Sequence, residues 1–130
     1  RQELIQQIGG MDENFFIYYD DTDFCLRAKN SGWKVYYLPS ASVIHHMSKG
    51  VGQFSNFLYP KIFESELHFF HKHKGRLQAS ICAIFIQIAM LLRMLIVLPL
   101  FALGAKRNYF QKKMQAYWRV FYTAKTQKYR

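Results

Sequence analysis

Residues 79–103 contain one side chain that carries charge, Arg93, and two other polar ones, Ser80 and Gln87. A helix of this length rises about 37 Å, at roughly 1.5 Å per residue, which exceeds the ~30 Å hydrocarbon core of a bilayer. At 100° per residue Ser80 and Gln87 share a face while Arg93 lies about 120° away, so no polar stripe marks a solvent side. A chain of 130 residues has no interior deep enough to surround such a helix. The run therefore predicts a membrane-associated segment, and the remainder of the chain must accommodate it.

The flanking sequence is consistent with that reading. In residues 53–78, Phe54, Leu58, Ile62, Leu67 and Phe70 recur near helical spacing with Lys61, Glu64 and Lys72 between them. This is the pattern of an amphipathic helix, with Pro60 expected in its first turn. The run from His71 to Arg76 closes it with positive charge at the negative end of its dipole, and His68, His71 and His73 read as its solvated or lipid-facing surface. Residues 104–130 carry eight basic and no acidic side chains, interleaved with Phe110, Met114, Tyr117, Trp118, Phe121 and Tyr122. A basic amphipathic helix with Trp and Tyr lies well in a headgroup plane. The same pattern would also suit stacking on bases, but no nucleic-acid module signature accompanies it. The adjoining apolar run favours lipid, and no nucleic-acid partner is expected.

Charge divides the chain in the same place. Residues 1–52 hold five basic and six acidic side chains, a net of −1, whereas residues 53–130 hold 13 basic and two acidic, a net of +11. The basic part calls for a polyanionic partner, read here as an anionic membrane surface. Cys25 and Cys82 match no metal or redox spacing and read as thiols of a reducing compartment.

In the front part, a first helix around Glu3 to Ile8 is broken by Gly9-Gly10. The aromatic run from Phe15 to Tyr19 suits a short buried strand or an extended loop. Asp20, Asp21, Thr22 and Asp23 are N-cap formers that open a short helix stopped at Gly32. Lys34 to Leu38 reads as a strand ended by Pro39, and Ser42 to His46 as a shorter extended piece. The densest chemistry is the Asp20, Asp21, Asp23 cluster. One Asp suffices for capping, and three carboxylates within four positions repel one another, as at metal or general-base sites. His45 and His46 end the second extended piece; an imidazole near such carboxylates suits a divalent cation.

The order of these motifs resembles the family 2 glycosyltransferases, inverting enzymes of the GT-A fold, and among them the bacterial rhamnosyltransferase-like members. The likeness runs through Gly9-Gly10-Met11-Asp12-Glu13-Asn14-Phe15-Phe16, the Asp20-Asp21-Thr22-Asp23 group, Gly32-Trp33-Lys34-Val35, Leu38-Pro39 with His45-His46, and the Phe-rich helix ending at His71-Lys72-His73-Lys74-Gly75. It covers residues 5–76. The resemblance implies an α/β fold, namely the C-terminal part of a GT-A nucleotide-diphospho-sugar transferase domain followed by amphipathic and membrane-associated helices. It assigns residues 1–52 to the acceptor and base half of that domain; the patterning described above makes residues 53–78 an amphipathic helix, residues 79–103 the apolar segment and residues 104–130 the basic terminal helix.

The resemblance also implies site roles. Asp21 matches the catalytic base, Asp20 stands where Glu is commoner, and Asp23 matches a supporting acid. Gly9 and Gly10 match a turn lining the substrate cleft, and His45 matches a position that binds metal in some members. The implied partners are a nucleotide-sugar donor, a glycan or lipid-linked acceptor and a divalent cation, Mn²⁺ or Mg²⁺, at the cytoplasmic face of a bacterial inner membrane, in surface polysaccharide synthesis. The donor half with its Asp-x-Asp motif is expected upstream of Arg1, which leaves the fragment alone inactive. Two other classes compete: a non-enzymatic membrane-docking module, and a metal-dependent phosphoesterase, which would need more closely spaced His or Asp ligands than the chain offers. Basic residues on both sides of the apolar segment favour the cytoplasm for both flanks, so the segment is expected to enter and return, or to lie shallowly.

Overall fold

The computed structural model describes residues 1–44, 55–102 and 107–126. Their regular structure is helical: α1 (Gln2–Ile8), α2 (Asp20–Asn30), α3 (Ser55–Lys74), α4 (Arg76–Ala102) and α5 (Arg107–Thr126).

The long helices form one packed unit. Leu67 of α3, Ala83, Ile86 and Met90 of α4, and Val120 and Ala124 of α5 make its core, with Tyr59, Phe63, Tyr117 and Phe121 packed around them. A single residue, Gly75, separates α3 from α4. Its φ of +88° is a left-handed conformation that costs a side chain ~1 kcal/mol or more and glycine nothing. With so short a link the two helices run antiparallel: Cys82 Sγ lies 3.8 Å from Glu66 Oε1, and Arg93 Nη1 donates to the Tyr59 hydroxyl at 2.9 Å. Pro60 stands inside α3, one turn later than the sequence suggests, because the helix starts at Ser55. There its missing N–H forfeits one bond to the carbonyl four residues earlier, in the second turn.

Helix α4 is covered on one side only. Ala79, Ala83, Ile86, Met90 and Val97 are buried, whereas Ile81, Ile84, Phe85, Ile88, Leu92 and Leu95 are exposed. With Leu91, Ile96 and Leu98, which are also exposed, the apolar side chains of this face span about 160° at 100° per residue, and Arg93 lies roughly 140° round from its middle. From Arg76 to Pro99 the helix is long and apolar enough to cross a membrane, by length and composition.

The α/β expectation is overturned. Among the described residues there is no strand and no sheet, so this chain does not display the C-terminal part of a GT-A sheet. Residues 34–38 and 41–44 have strand-forming side chains but no regular structure, and Tyr36, Tyr37, Val43 and Ile44 are exposed. A strand exists only where a neighbour accepts its backbone hydrogen bonds, and none lies beside these residues. The aromatic run before α2 is likewise without regular structure, with Phe15 alone buried. His46 and the end of the second expected strand fall outside the described residues.

Candidate active site

Helix α2 carries the acidic cluster on its first turn, and helical geometry parts the three carboxylates. Asp21 is exposed, Asp20 is half-buried, and Asp23 is completely buried. The helix follows two consecutive tyrosines in the left-handed region, Tyr18 at φ 60° and Tyr19 at φ 66°. Each such residue costs on the order of 1–3 kcal/mol, so the surrounding structure must hold them. The Tyr19 ring packs on Phe69 at 5.3 Å between centroids, and its hydroxyl hydrogen-bonds Glu66. Burial pushes the Glu66 carboxyl above its ordinary value, although the bonds from Cys82 and Tyr19 act the other way. The helix stops at Ser31, whose N–H returns to Arg27 and Ala28 carbonyls, and Gly32 turns the chain at φ +85°.

Asp23 is the hub between α2 and α3. Its Oδ2 accepts from Arg27 Nε at 2.7 Å, while its Oδ1 lies 2.7 Å from both Lys72 Nζ and His73 Nε2. Burial pushes the Asp23 carboxyl up, but the hydrogen bonds from Lys72, Arg27 and His73 outweigh this and hold it below the usual carboxylate range. Lys72 also reaches Asp12 Oδ2 at 2.7 Å, and Asp12 is held low by that bond and by those from Asn14, again against burial. Between two carboxylates, the Lys72 ammonium is pushed above its ordinary value despite its own burial. His68 completes the seam: its ring meets Phe15 edge-on at 4.8 Å, and its Nε2, 3.7 Å from Asp12, is buried without a hydrogen-bond partner. The guanidinium fork of Arg27 then ties in the glycine turn, donating to the Ile8 carbonyl at 2.6 Å and the Gly10 carbonyl at 2.7 Å.

Asp21 stands apart from this lock. Its Oδ1 accepts from the Thr22 N–H at 2.7 Å and the Thr22 hydroxyl at 3.2 Å. With Tyr18, Tyr19, Thr22 and Ile62 it lines an open cleft of about 410 Å³. Gly9 and Gly10 do not line that cleft; Gly9 is left-handed at φ +78°, and a Cβ at either glycine would meet open space. His45 lies outside the described residues. Among the described residues no three His, Cys, Asp or Glu side chains converge as a metal site. Both Asp23 oxygens already face cations, which would repel a second positive ion. The described residues therefore assemble no cation site of their own.

Asp12, Arg27 and Lys72 carry no site signal in the sequence, and His68 and His73, expected on a solvated or lipid-facing surface, instead lie in this seam. The reason is that Asp23 and His73 are 50 residues apart. Only the Asp23 to Arg27 spacing of four, the separation of ion pairs along a helix face, is visible locally.

No protein-family model matches the chain, and no solved structure matches it. Two curated relatives, N-acetylglucosaminyl-diphospho-decaprenol L-rhamnosyltransferase from two strains of Mycobacterium tuberculosis, are 40% identical to it over 53 residues, covering 41% of this chain and 17% of theirs. The dTDP-rhamnosyl transferase RfbF of Shigella flexneri is 41% identical over 44 residues, covering 34% of this chain and 15% of its own. The chain thus spans about a sixth of the length of the curated relatives it matches. Over that part it is similar to bacterial rhamnosyltransferases, a relationship at the level of glycosyltransferases.

Proposed function

We propose that this chain is part of a membrane-attached inverting glycosyltransferase of the family 2 kind. It would move a sugar, rhamnose or another hexose, from a nucleotide-sugar donor to a lipid-linked or growing glycan acceptor at the cytoplasmic face of a bacterial membrane. Asp21 is the base. The observation that carries this is the division of labour between neighbouring carboxylates: Asp23 is buried among cations, while Asp21 sits at an open cleft on a helix start held by Tyr19. Similarity to the rhamnosyltransferases supports the reaction class.

In that reaction the Asp21 carboxylate takes the proton of the acceptor hydroxyl while its oxygen bonds to the anomeric carbon. The bond to the departing nucleoside diphosphate breaks on the opposite face, and the configuration inverts. Asp20 adds negative charge beside the base, and Asp23, through Arg27 and Lys72, fixes the helix that carries it. Gly9 and Gly10 act at one remove, as the turn that Arg27 secures. A need for Mn²⁺ or Mg²⁺, with His45 as a ligand, belongs to the same proposal and rests on the family resemblance alone.

In the full-length enzyme, Asp21→Asn lowers kcat by roughly 10²–10⁴-fold, the usual worth of a general base, with an unchanged melting temperature. Near-normal turnover in a folded variant overturns the assignment.

A further inference from the structure

The apolar helix α4 has three ways to meet a bilayer: to cross it, to enter and return, or to lie along its surface. Entering and returning needs a turn at depth, and α4 is one continuous helix from Arg76 to Ala102. Crossing puts whatever is packed beside α4 at the same depth. The contacts of Tyr59 with Arg93 and of Glu66 with Cys82 set the level of α3 along α4. The Lys61–Glu64 ion pair, at 2.6 Å, lies between those two levels, beside the middle of the apolar run. A crossing α4 would carry that pair and Glu66 into hydrocarbon, where charged groups are rare and costly.

Lying along the surface asks for none of this. The exposed arc of α4 through Ile84, Phe85, Ile88 and Leu92 carries no charge, and it faces away from the core shared with α3 and α5. Contiguous apolar surface of this extent on one side of a small unit marks an interaction face. Charge selects its occupant. Helix α5 carries Lys112, Lys113, Arg119 and Lys125 with no acidic residue. Within a Debye length of about 10 Å such cations are drawn to an anionic surface and are indifferent to an apolar protein helix.

We infer that the α3–α4–α5 unit is a monotopic anchor: it lies flat on an anionic bilayer, with the outer arc of α4 among the acyl chains and α3 and α5 on the aqueous side. This rests on the membrane attachment proposed above, not on the catalytic assignment, and it specifies the mode of that attachment.

Depth measurement by nitroxide labels tests it. Single cysteines are introduced as Ile81→Cys, Ile88→Cys and Leu95→Cys in the whole chain, with Cys25 and Cys82 changed to Ala, and helicity is checked by circular dichroism. The probe is a phosphatidylcholine vesicle with or without about a third phosphatidylglycerol. The three positions share one face across 14 residues, or about 21 Å of helix. The expected result is at least tenfold tighter binding to the anionic vesicles and equal shallow depths at all three labels. Depths that differ by about 10 Å or more among the three overturn the flat anchor while leaving attachment standing. Binding to neither vesicle overturns attachment itself and assigns the α4 face to a protein partner. Equal binding to both vesicles overturns the anionic requirement.

Discussion

The Asp23 cluster makes a quantitative statement about stability. Replacing Asp23 with Asn keeps the volume but removes the charge that Arg27, Lys72 and His73 share, in a site where the carboxylate is wholly buried. Breaking a buried pair costs about 3–5 kcal/mol because the abandoned charge stays desolvated. Here the side chains of Arg27 and Lys72 are 19% and 29% exposed, so water softens the loss and the lower limit, about 3 kcal/mol, applies. At roughly 2.1 cal/mol/K per residue of unfolding entropy, that lowers Tm by about 11 °C for a chain of this size. The pH dependence provides a second check. The folded-state pKa of Asp23 lies below its unfolded value of about 3.9, so below pH ~4 the unfolded state binds more protons than the folded one. The contribution is fully present above that value and is lost as pH falls through the folded-state pKa. Urea denaturation of parent and variant should therefore differ by about 3 kcal/mol at pH 7, and the difference should shrink below pH 4. A difference under ~0.5 kcal/mol at pH 7, or one that persists unchanged into acid, refutes the account of Asp23 as an ion-paired hub.

Arg27→Lys keeps the charge but cannot hold three acceptors at once; it should cost about 1–2 kcal/mol by urea denaturation, where a loss under 0.3 would mean the fork is unimportant. Gly9→Ala should cost ~1 kcal/mol or more because of its φ of +78°, whereas Gly10→Ala, with equal space, should stay within about 0.5; thermal melts of both variants decide it. In the full-length enzyme His45→Ala should raise the Mn²⁺ or Mg²⁺ concentration giving half-maximal activity and His46→Ala should not; the same requirement in both variants returns His45 to a structural role.

What the sequence disclosed depended on how local the cause was. Helix α4 was plain because hydropathy over 25 residues needs no partner to interpret, and the end of α2 was plain because Gly32 stops a helix by its own backbone freedom. The strands failed because Val35, Tyr36 and Tyr37 report only a preference for a pleated surface, and a sheet needs a second strand. Residue type alone does not rank the carboxylates; only the family resemblance separates them. Asp21 and Asp23 look alike in sequence; what separates them in the structure is that one faces His73, 50 residues away, and its neighbour Lys72. The left-handed Tyr18 and Tyr19 had no residue signal, since Gly or Asn is what ordinarily marks that conformation.

The one-residue link at Gly75 joins these parts mechanically. Lys72 and His73, which grip Asp23, are within four residues of the first residue of α4, and Gly75 N donates back to the His71 carbonyl at 3.1 Å, leaving no slack between the two helices. A tilt or a lift of α4 is transmitted as a displacement of Lys72 and His73, then of Asp23, and so of the turn that carries Asp21. Under the proposed assignment of Asp21 as the base, whatever α4 rests against becomes part of the mounting of the site.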